Sequence, residues 1–147
     1  MMAGIGPADT KPEMIVRRGL HALGYRYRLH AKSLPGKPDL VFPARRAVIF
    51  VQGCFWHGHD CALFRWPATR EEFWRAKICE NVARDSRVRE GLLEADWRVL
   101  DVWECTMKGR DRRPVDEVVA GCAAFLEGPD RQASIGGSQT VTVLDSA

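Results

Sequence analysis

Five consecutive apolar residues, AVIFV at 47–51, leave neither face of a strand for water. A strand of that kind belongs in the middle of a sheet that is covered on both sides. It ends abruptly, because residues 53–61 read GCFWHGHDC, with two cysteines, two histidines, an aspartate and two large aromatics in nine residues. A buried core has no use for so many polar ligands, and a solvated loop has no use for an adjacent Phe and Trp. The chain therefore has to build a covered sheet whose central strand delivers a chemically dense loop.

The flanking patterns supply the cover. Thr10-Lys11-Pro12-Glu13 has the form of a capping box, with Thr10 as N-cap and Glu13 at the third helical position. The helix that follows carries Val16, Leu20 and Leu23 on one face and stops at Gly24. Residues 25–30, YRYRLH, alternate apolar and basic and predict a half-buried strand with Arg26 and Arg28 outward. LVF (40–42) and AVIFV, joined by PARR, read as two strands of a hairpin. From Arg70 to about Ala95 a long helical pattern turns Trp74, Ile78, Val82, Val88 and Leu92 inward. WRVLDVW (97–103) is another buried strand, and Pro114 opens a last helix with Val118, Val119, Cys122, Phe125 and Leu126. The order α-β-β-β-α-β-α makes an α/β domain, a mixed sheet with helices on its faces. Residues 1–126 form this single domain, and the Gly/Ser/Thr/Gln-rich stretch 127–147 reads as a flexible C-terminal tail.

Charge and cysteine usage narrow the class. In 127–147, Glu127, Asp130 and Asp145 against Arg131 leave −2, so the net +3 of the chain becomes +5 over residues 1–126. That is a mild bias towards a polyanionic partner. No apolar run reaches the roughly 20 residues needed to cross a bilayer. The first residues lack the layout of a secretory signal, so a cytoplasmic location is expected. Five cysteines in that setting are thiols or metal ligands rather than disulfides.

Cys54, His57, His59 and Cys61 fall within eight residues, and Cys105 follows the last strand. Four such groups can close a tetrahedral zinc site at roughly 2.0–2.3 Å. Alternation along an extended loop lets His59 and Cys61 converge, and Cys105 would tie the loop to the sheet. The residues alone leave open whether His57 or His59 is the ligand, while Cys79 and Cys122 sit in helical patterns as small core residues. Asp39, after Pro38, starts the hairpin whose next strand runs into the loop. It is placed to hold a divalent cation of the kind nucleases use, although a turn aspartate after proline is the commoner use. Phe55, Trp56 and Trp74 suit either wedging between base steps or a cluster covering the zinc. Arg70, Arg75, Lys77, Arg84, Arg87 and Arg89 could face phosphates or simply water.

Taken together, the segments MAGIGPADTKPE (2–13), SLPGKPDLVF (33–42), VIFVQGCFWHGHDC (48–61), PATREEFWRAKICENVARD (67–85) and WRVLDVWECTMKGR (97–110) resemble the very short patch repair endonucleases. These enzymes nick DNA beside a T:G mismatch left by deamination of 5-methylcytosine. The resemblance implies a restriction-endonuclease-like α/β fold with a structural zinc site. It implies a Mg2+-dependent endonuclease that cuts 5′ of the mismatched thymine, with Asp39 and the backbone carbonyl of Val51 holding magnesium, His57 activating or positioning water, and Glu13 as a further active-site acid. Zinc would take Cys54, His59, Cys61 and Cys105. Phe55, Trp56 and Trp74 match the family's intercalating aromatics. Met2, Lys77 and Asn81 match positions that contact bases near the mismatch, and Arg84 joins them as a DNA contact. The implied setting is a bacterial cytoplasm at the nucleoid, with a mismatch-repair matchmaker protein as partner, and a monomer suits cutting one strand at an asymmetric lesion.

Three departures stand out. Val51-Gln52 replaces the Thr-His frequent in the family, so a second imidazole is absent and Gln52 can only donate or accept hydrogen bonds. Gly58 replaces a frequent extra histidine, and the sequence begins at Met1 without the basic segment that usually precedes Met-x-x-Ile. Two other readings compete with cleavage of mismatches: a zinc-stabilised binder of distorted DNA that does not cut, and a related nuclease of restriction type.

Overall fold

A computed structural model describes residues 10–137 and 142–143. Helix α1 (Lys11–Ala22) starts as the sequence predicts, with the Thr10 hydroxyl accepting from the Glu13 N–H at 3.4 Å. Strands β1 (Arg28–Leu29), β2 (Leu40–Phe42) and β3 (Ala47–Gln52) form an antiparallel meander, with Leu40 opposite Ile49 and Phe42 opposite Ala47. The long helix α2 (Glu71–Glu94) then carries the chain back to β4 (Arg98–Trp103), and α3 (Val115–Glu127) leads to β5 (Gln132–Ile135) and the short β6 (Thr142–Val143). The six strands stand in chain order across one sheet; β3–β4 and β4–β5 are parallel and the other pairs antiparallel.

Strand alternation splits the apolar residues between two faces. Leu40, Phe42, Ala47, Ile49, Leu100 and Val102 meet Val16 and Leu20 of α1 and Val118, Cys122 and Phe125 of α3. Val41, Val48 and Val99 meet Leu92 of α2 together with Trp97, and Phe50 and Val88 pack alongside. The expected central strand is therefore covered on both sides, by α1 and α3 on one and by α2 on the other.

Several expectations need correction. The strand foreseen over 25–30 shrinks to two residues, because Tyr25 and Tyr27 turn their rings edge-on to Phe42 at 6.3 and 5.7 Å. Val82, expected inward, is 44% exposed. Residues 132–135 do not belong to a flexible tail: β5 pairs with β4, buries Ala133 and Ile135, and accepts a hydrogen bond from Trp103 Nε1 at Ser134 Oγ, 2.9 Å. Arg98 secures the approach to β5 by donating to the carbonyls of Phe125, Leu126, Gly128 and Asp130 at 2.9–3.1 Å.

The crossing of α1 and α3 rests on Gly19, where an added Cβ would stand 2.4 Å from Val119 Cγ2 and 3.0 Å from its Cγ1. A β-branched valine in a helix has little rotamer freedom with which to retreat. Gly19→Ala, which would stabilise an isolated helix by up to about 1 kcal/mol, is therefore expected to destabilise this protein by about 1–3 kcal/mol through overpacking. Urea unfolding of the two proteins checks the sign.

Candidate active site and metal centre

Because β3 and β4 run parallel in register from Ala47↔Arg98 to Gln52↔Trp103, both strands end at the same edge of the sheet. The loop after β3 and the turn after β4 therefore meet. Cys54 and Cys105, one from each, are 0% and 1% exposed and join His59 and Cys61 in a cluster whose donor atoms all lie within 4.8 Å of one another. Cys54 Sγ and Cys105 Sγ stand 3.5 and 3.6 Å from His59 Nδ1. A tetrahedral ion held at about 2.3 Å from sulfur and about 2.1 Å from nitrogen sets S–N edges near 3.5 Å. The spacing and the donor chemistry both fit a closed, four-ligand metal centre. Between the ambiguous histidines the geometry separates clearly: His59 joins the thiols and His57 does not. The Cys105 thiol is held below its ordinary range, first by its hydrogen bond with Cys54 and then by His59. The same bond pushes the Cys54 thiol up. His59 lies flat on Trp103 at 4.1 Å, and the Gly137 N–H donates to Cys105 Sγ at 3.2 Å, so the segment after β5 closes over the centre.

On the other side of the same loop lies a cleft of about 940 Å³. Glu13, Asp39, Val51 and His57 all line it. Asp39 sits just before β2, and its Oδ2 accepts from the Val51 N–H at 2.7 Å. Glu13, 2% exposed, spends its carboxylate on His30 Nε2 at 2.7 Å and on Arg17 Nη1 at 3.5 Å. Donor atoms of Glu13, His30 and Asp39 again fall within 4.8 Å of one another. Burial raises the Asp39 carboxyl to about 6 against the pull of the Val51 N–H. His57 Nδ1 is 2.5 Å from Asp85 Oδ2, so an Nδ1–H donates a hydrogen bond to the carboxylate and Nε2 remains for chemistry.

Two of these residues, His30 and Asp85, were not singled out from the sequence. Asp85 lies with Ile78, Asn81, Val88 and Leu92 on one helical stripe, and a carboxylate on an otherwise inward stripe was the available signal. His30 offered only its place at the end of YRYRLH.

The aromatics form one half-buried cluster beside the cleft. Phe55 contacts Trp56, Trp74 and Phe64 at centroid distances of 5.2, 5.5 and 5.8 Å, while Trp66 and Phe73 are 37% and 43% exposed. Asn81, expected to reach bases, is 1% exposed; it donates to the Trp56 carbonyl and accepts from Arg84, both at 2.9 Å, and so braces the aromatic loop. Lys77 is half-buried and Arg84 exposed at the cleft. Gln52, at the position that departs from the family pattern, is 8% exposed and donates to Asp101 at 3.0 Å; Asp101 in turn takes two bonds from Arg89 at 3.0–3.1 Å. Met2 lies outside the described residues.

Comparison with known proteins places these residues in context. Residues 1–63 match the family profile described as "DNA mismatch endonuclease Vsr". The type II nicking enzyme V.XorIIP of Xanthomonas oryzae is 50% identical over 107 residues, 73% of this chain and 79% of that protein. The DNA mismatch endonuclease Vsr of Escherichia coli is 49% identical over 111 residues, 76% of this chain and 71% of that protein. The type II nicking enzyme V.NmeAIP of Neisseria meningitidis is 39% identical over 110 residues, 75% and 79% of the two chains.

The raised carboxyl of Asp39 has a consequence for stability. Its folded value of about 6 exceeds the unfolded 3.8, so an ionised Asp39 costs stability above pH 6, and the cost fades as pH falls towards 4. Asp39→Asn keeps an acceptor for the Val51 N–H but cannot ionise. In buffer without added divalent cations this variant should melt above the parent at pH 8, by at most about 3 kcal/mol for a shift of about two units. The gain should shrink by pH 5, which thermal melts across the series will reveal.

Proposed function

The chain belongs to the Vsr family of DNA mismatch endonucleases, and on that footing we propose that it nicks one strand of duplex DNA 5′ of the thymine in a T:G mismatch. What carries the proposal is a single cleft in which the acidic group around Asp39, the His57–Asp85 pair and the aromatic loop all meet. All three relatives named above are called nicking enzymes or mismatch endonucleases, which supports cleavage of one strand over mere binding.

The residues divide the work. Asp39 and the Val51 carbonyl are the proposed magnesium ligands, with Glu13 beside them. Bound there, magnesium would neutralise the scissile phosphate and lower the pKa of the attacking water. His57, whose Nδ1–H is committed to Asp85, accepts the water proton at Nε2, and the carboxylate then stabilises the resulting imidazolium. Phe55, Trp56 and Trp74 enter the stack at the mismatch, where unstacking costs only a few kcal/mol per step. Lys77 and Arg84 stand near phosphates, and Asn81 acts by holding the Trp56 carbonyl. The thiol–imidazole centre is a structural zinc site, since four protein ligands leave no position for water. Among the described residues no helix is long and apolar enough to cross a membrane.

Asp39→Ala should lose nicking of a T:G duplex by at least about 1000-fold while still shifting that duplex in a gel, because the ion supplies several kcal/mol of transition-state stabilisation; cleavage near the parent rate would remove Asp39 from the mechanism. Elemental analysis should find one zinc per chain in the parent. Cys105→Ser should lose that zinc and melt at lower temperature, because structural zinc contributes folding energy directly.

A further inference from the structure

We propose that the cation site of the cleft contains a nitrogen donor, His30, and that it therefore binds a first-row divalent transition cation such as Mn2+ more tightly than Mg2+. This rests on the nuclease reading of the same cleft and concerns which ion that cleft prefers.

Glu13 comes from α1, His30 follows β1 and Asp39 precedes β2, yet their donor atoms gather within 4.8 Å. Two features of the backbone bring them there. The His30 N–H donates to the Asp39 carbonyl at 3.1 Å, extending the β1–β2 pairing by one step. His30 itself adopts φ 47°, a left-handed conformation that is uncommon outside glycine and that histidine takes more readily than most residues. The imidazole is thereby carried to Glu13, with Nε2 at 2.7 Å from Oε2.

A hydrogen bond joins His30 to Glu13, and Asp39, with its Oδ2 on the Val51 N–H, still lies within 4.8 Å of both. Asp39 brings another carboxylate to the same point. Two carboxylates and an imidazole within reach of one point form a donor set that a divalent ion can use. Around an octahedral ion at about 2.1 Å, adjacent donors stand about 3.0 Å apart and opposite donors about 4.2 Å. The 2.7 Å pair fits adjacent positions after a small expansion, and the 4.8 Å limit on the set fits closure onto an ion.

The donor types then decide the ion. Magnesium favours oxygen and gives up its water reluctantly, whereas affinity for a site with an imidazole rises along the first transition row from manganese onward. His57 is not the nitrogen in question, because the donor atoms that gather within 4.8 Å are those of Glu13, His30 and Asp39, and His57 is not among them. The Cys54/His59/Cys61/Cys105 centre is a separate cluster of sulfur-rich donors and suits a softer ion.

The test uses the full chain with its native metal content and no DNA, titrated with Mn2+ and followed by electron paramagnetic resonance. Bound Mn2+ should show the pulsed-resonance modulation of a directly coordinated imidazole nitrogen, and Mg2+ should compete at concentrations at least about tenfold higher than Mn2+. His30→Gln, which retains a hydrogen bond to Glu13, should lose the modulation and weaken Mn2+ binding about tenfold while Mg2+ affinity changes less than about twofold. His57→Gln should keep the modulation. Absence of the nitrogen signal in the parent, its survival in His30→Gln, or its loss in His57→Gln would overturn the assignment. Failure of the nuclease reading looks different: nitrogen-ligated Mn2+ in a protein that nicks no mismatched duplex would discard the proposed activity and leave His30 as a ligand.

Discussion

The parallel pairing of β3 with β4 is the constraint on which everything else depends. Six residue pairs, from Ala47↔Arg98 to Gln52↔Trp103, bring two strands separated by the whole of α2 to a common end. Functional groups in α/β sheets collect beyond the carboxyl ends of parallel strands, because the loops there are free of the layers that cover the faces. Here that position receives Cys54 from one loop and Cys105 from the other. With Cys54, His59 and Cys61 drawn together, the short segment between Gly53 and Cys61 has its thiols and His59 turned one way. His57 and the aromatic pair Phe55–Trp56 line the cleft. The candidate metal ligands and the residues of the cleft thus share one loop, with His57 and His59 separated by a single residue.

Order within the cleft is achieved by spending buried polar groups. Asn81 is consumed in holding the Trp56 carbonyl, and Asp85 in holding the His57 ring. Behind them, Asp101 is fully enclosed and satisfied by Gln52 and Arg89, which joins β3, β4 and α2 through one carboxylate. Buried charges are tolerated when paired in this way and become costly when one partner is removed. Position 52 therefore takes part in a bond across the sheet, which is a sufficient reason for glutamine to stand there beside Asp101. Near the other end of the sheet, Arg98 does comparable work for the carbonyls that close α3.

Much of this was legible in the sequence, and the gaps have physical causes. The apolar runs 40–42 and 47–51, and the segment 98–103 that is apolar but for Arg98 and Asp101, announced covered strands, because short segments rich in Val, Ile and aromatics between turn signals read as buried strands. The capping residue Thr10 and the dense loop at 53–61 were equally plain. β5 was hidden because QASI is short and set in polar sequence; its strand character comes from bonding to β4 and from burying Ala133 and Ile135, which are tertiary facts. Val82 was misjudged because the loop at Gly58 covers Ile78 and only the edge of Val82. The pairs Glu13–His30 and His57–Asp85 join residues far apart in the chain. No local pattern encodes such meetings, so His30 in particular looked like the last residue of an alternating strand.

A cleft that hydrolyses one phosphodiester beside a T:G pair with a divalent cation leaves a break in one strand only. The most direct measurement labels each strand of a duplex in turn, carrying one T:G pair or its fully paired counterpart, and maps any cut with Mg2+ or with EDTA. The account predicts a cation-dependent break confined to the thymine strand, immediately 5′ of the mismatched base, and no break in the paired duplex. Tight binding of the mismatch with both strands intact in every sequence context, or equal cutting of the paired duplex, would contradict it.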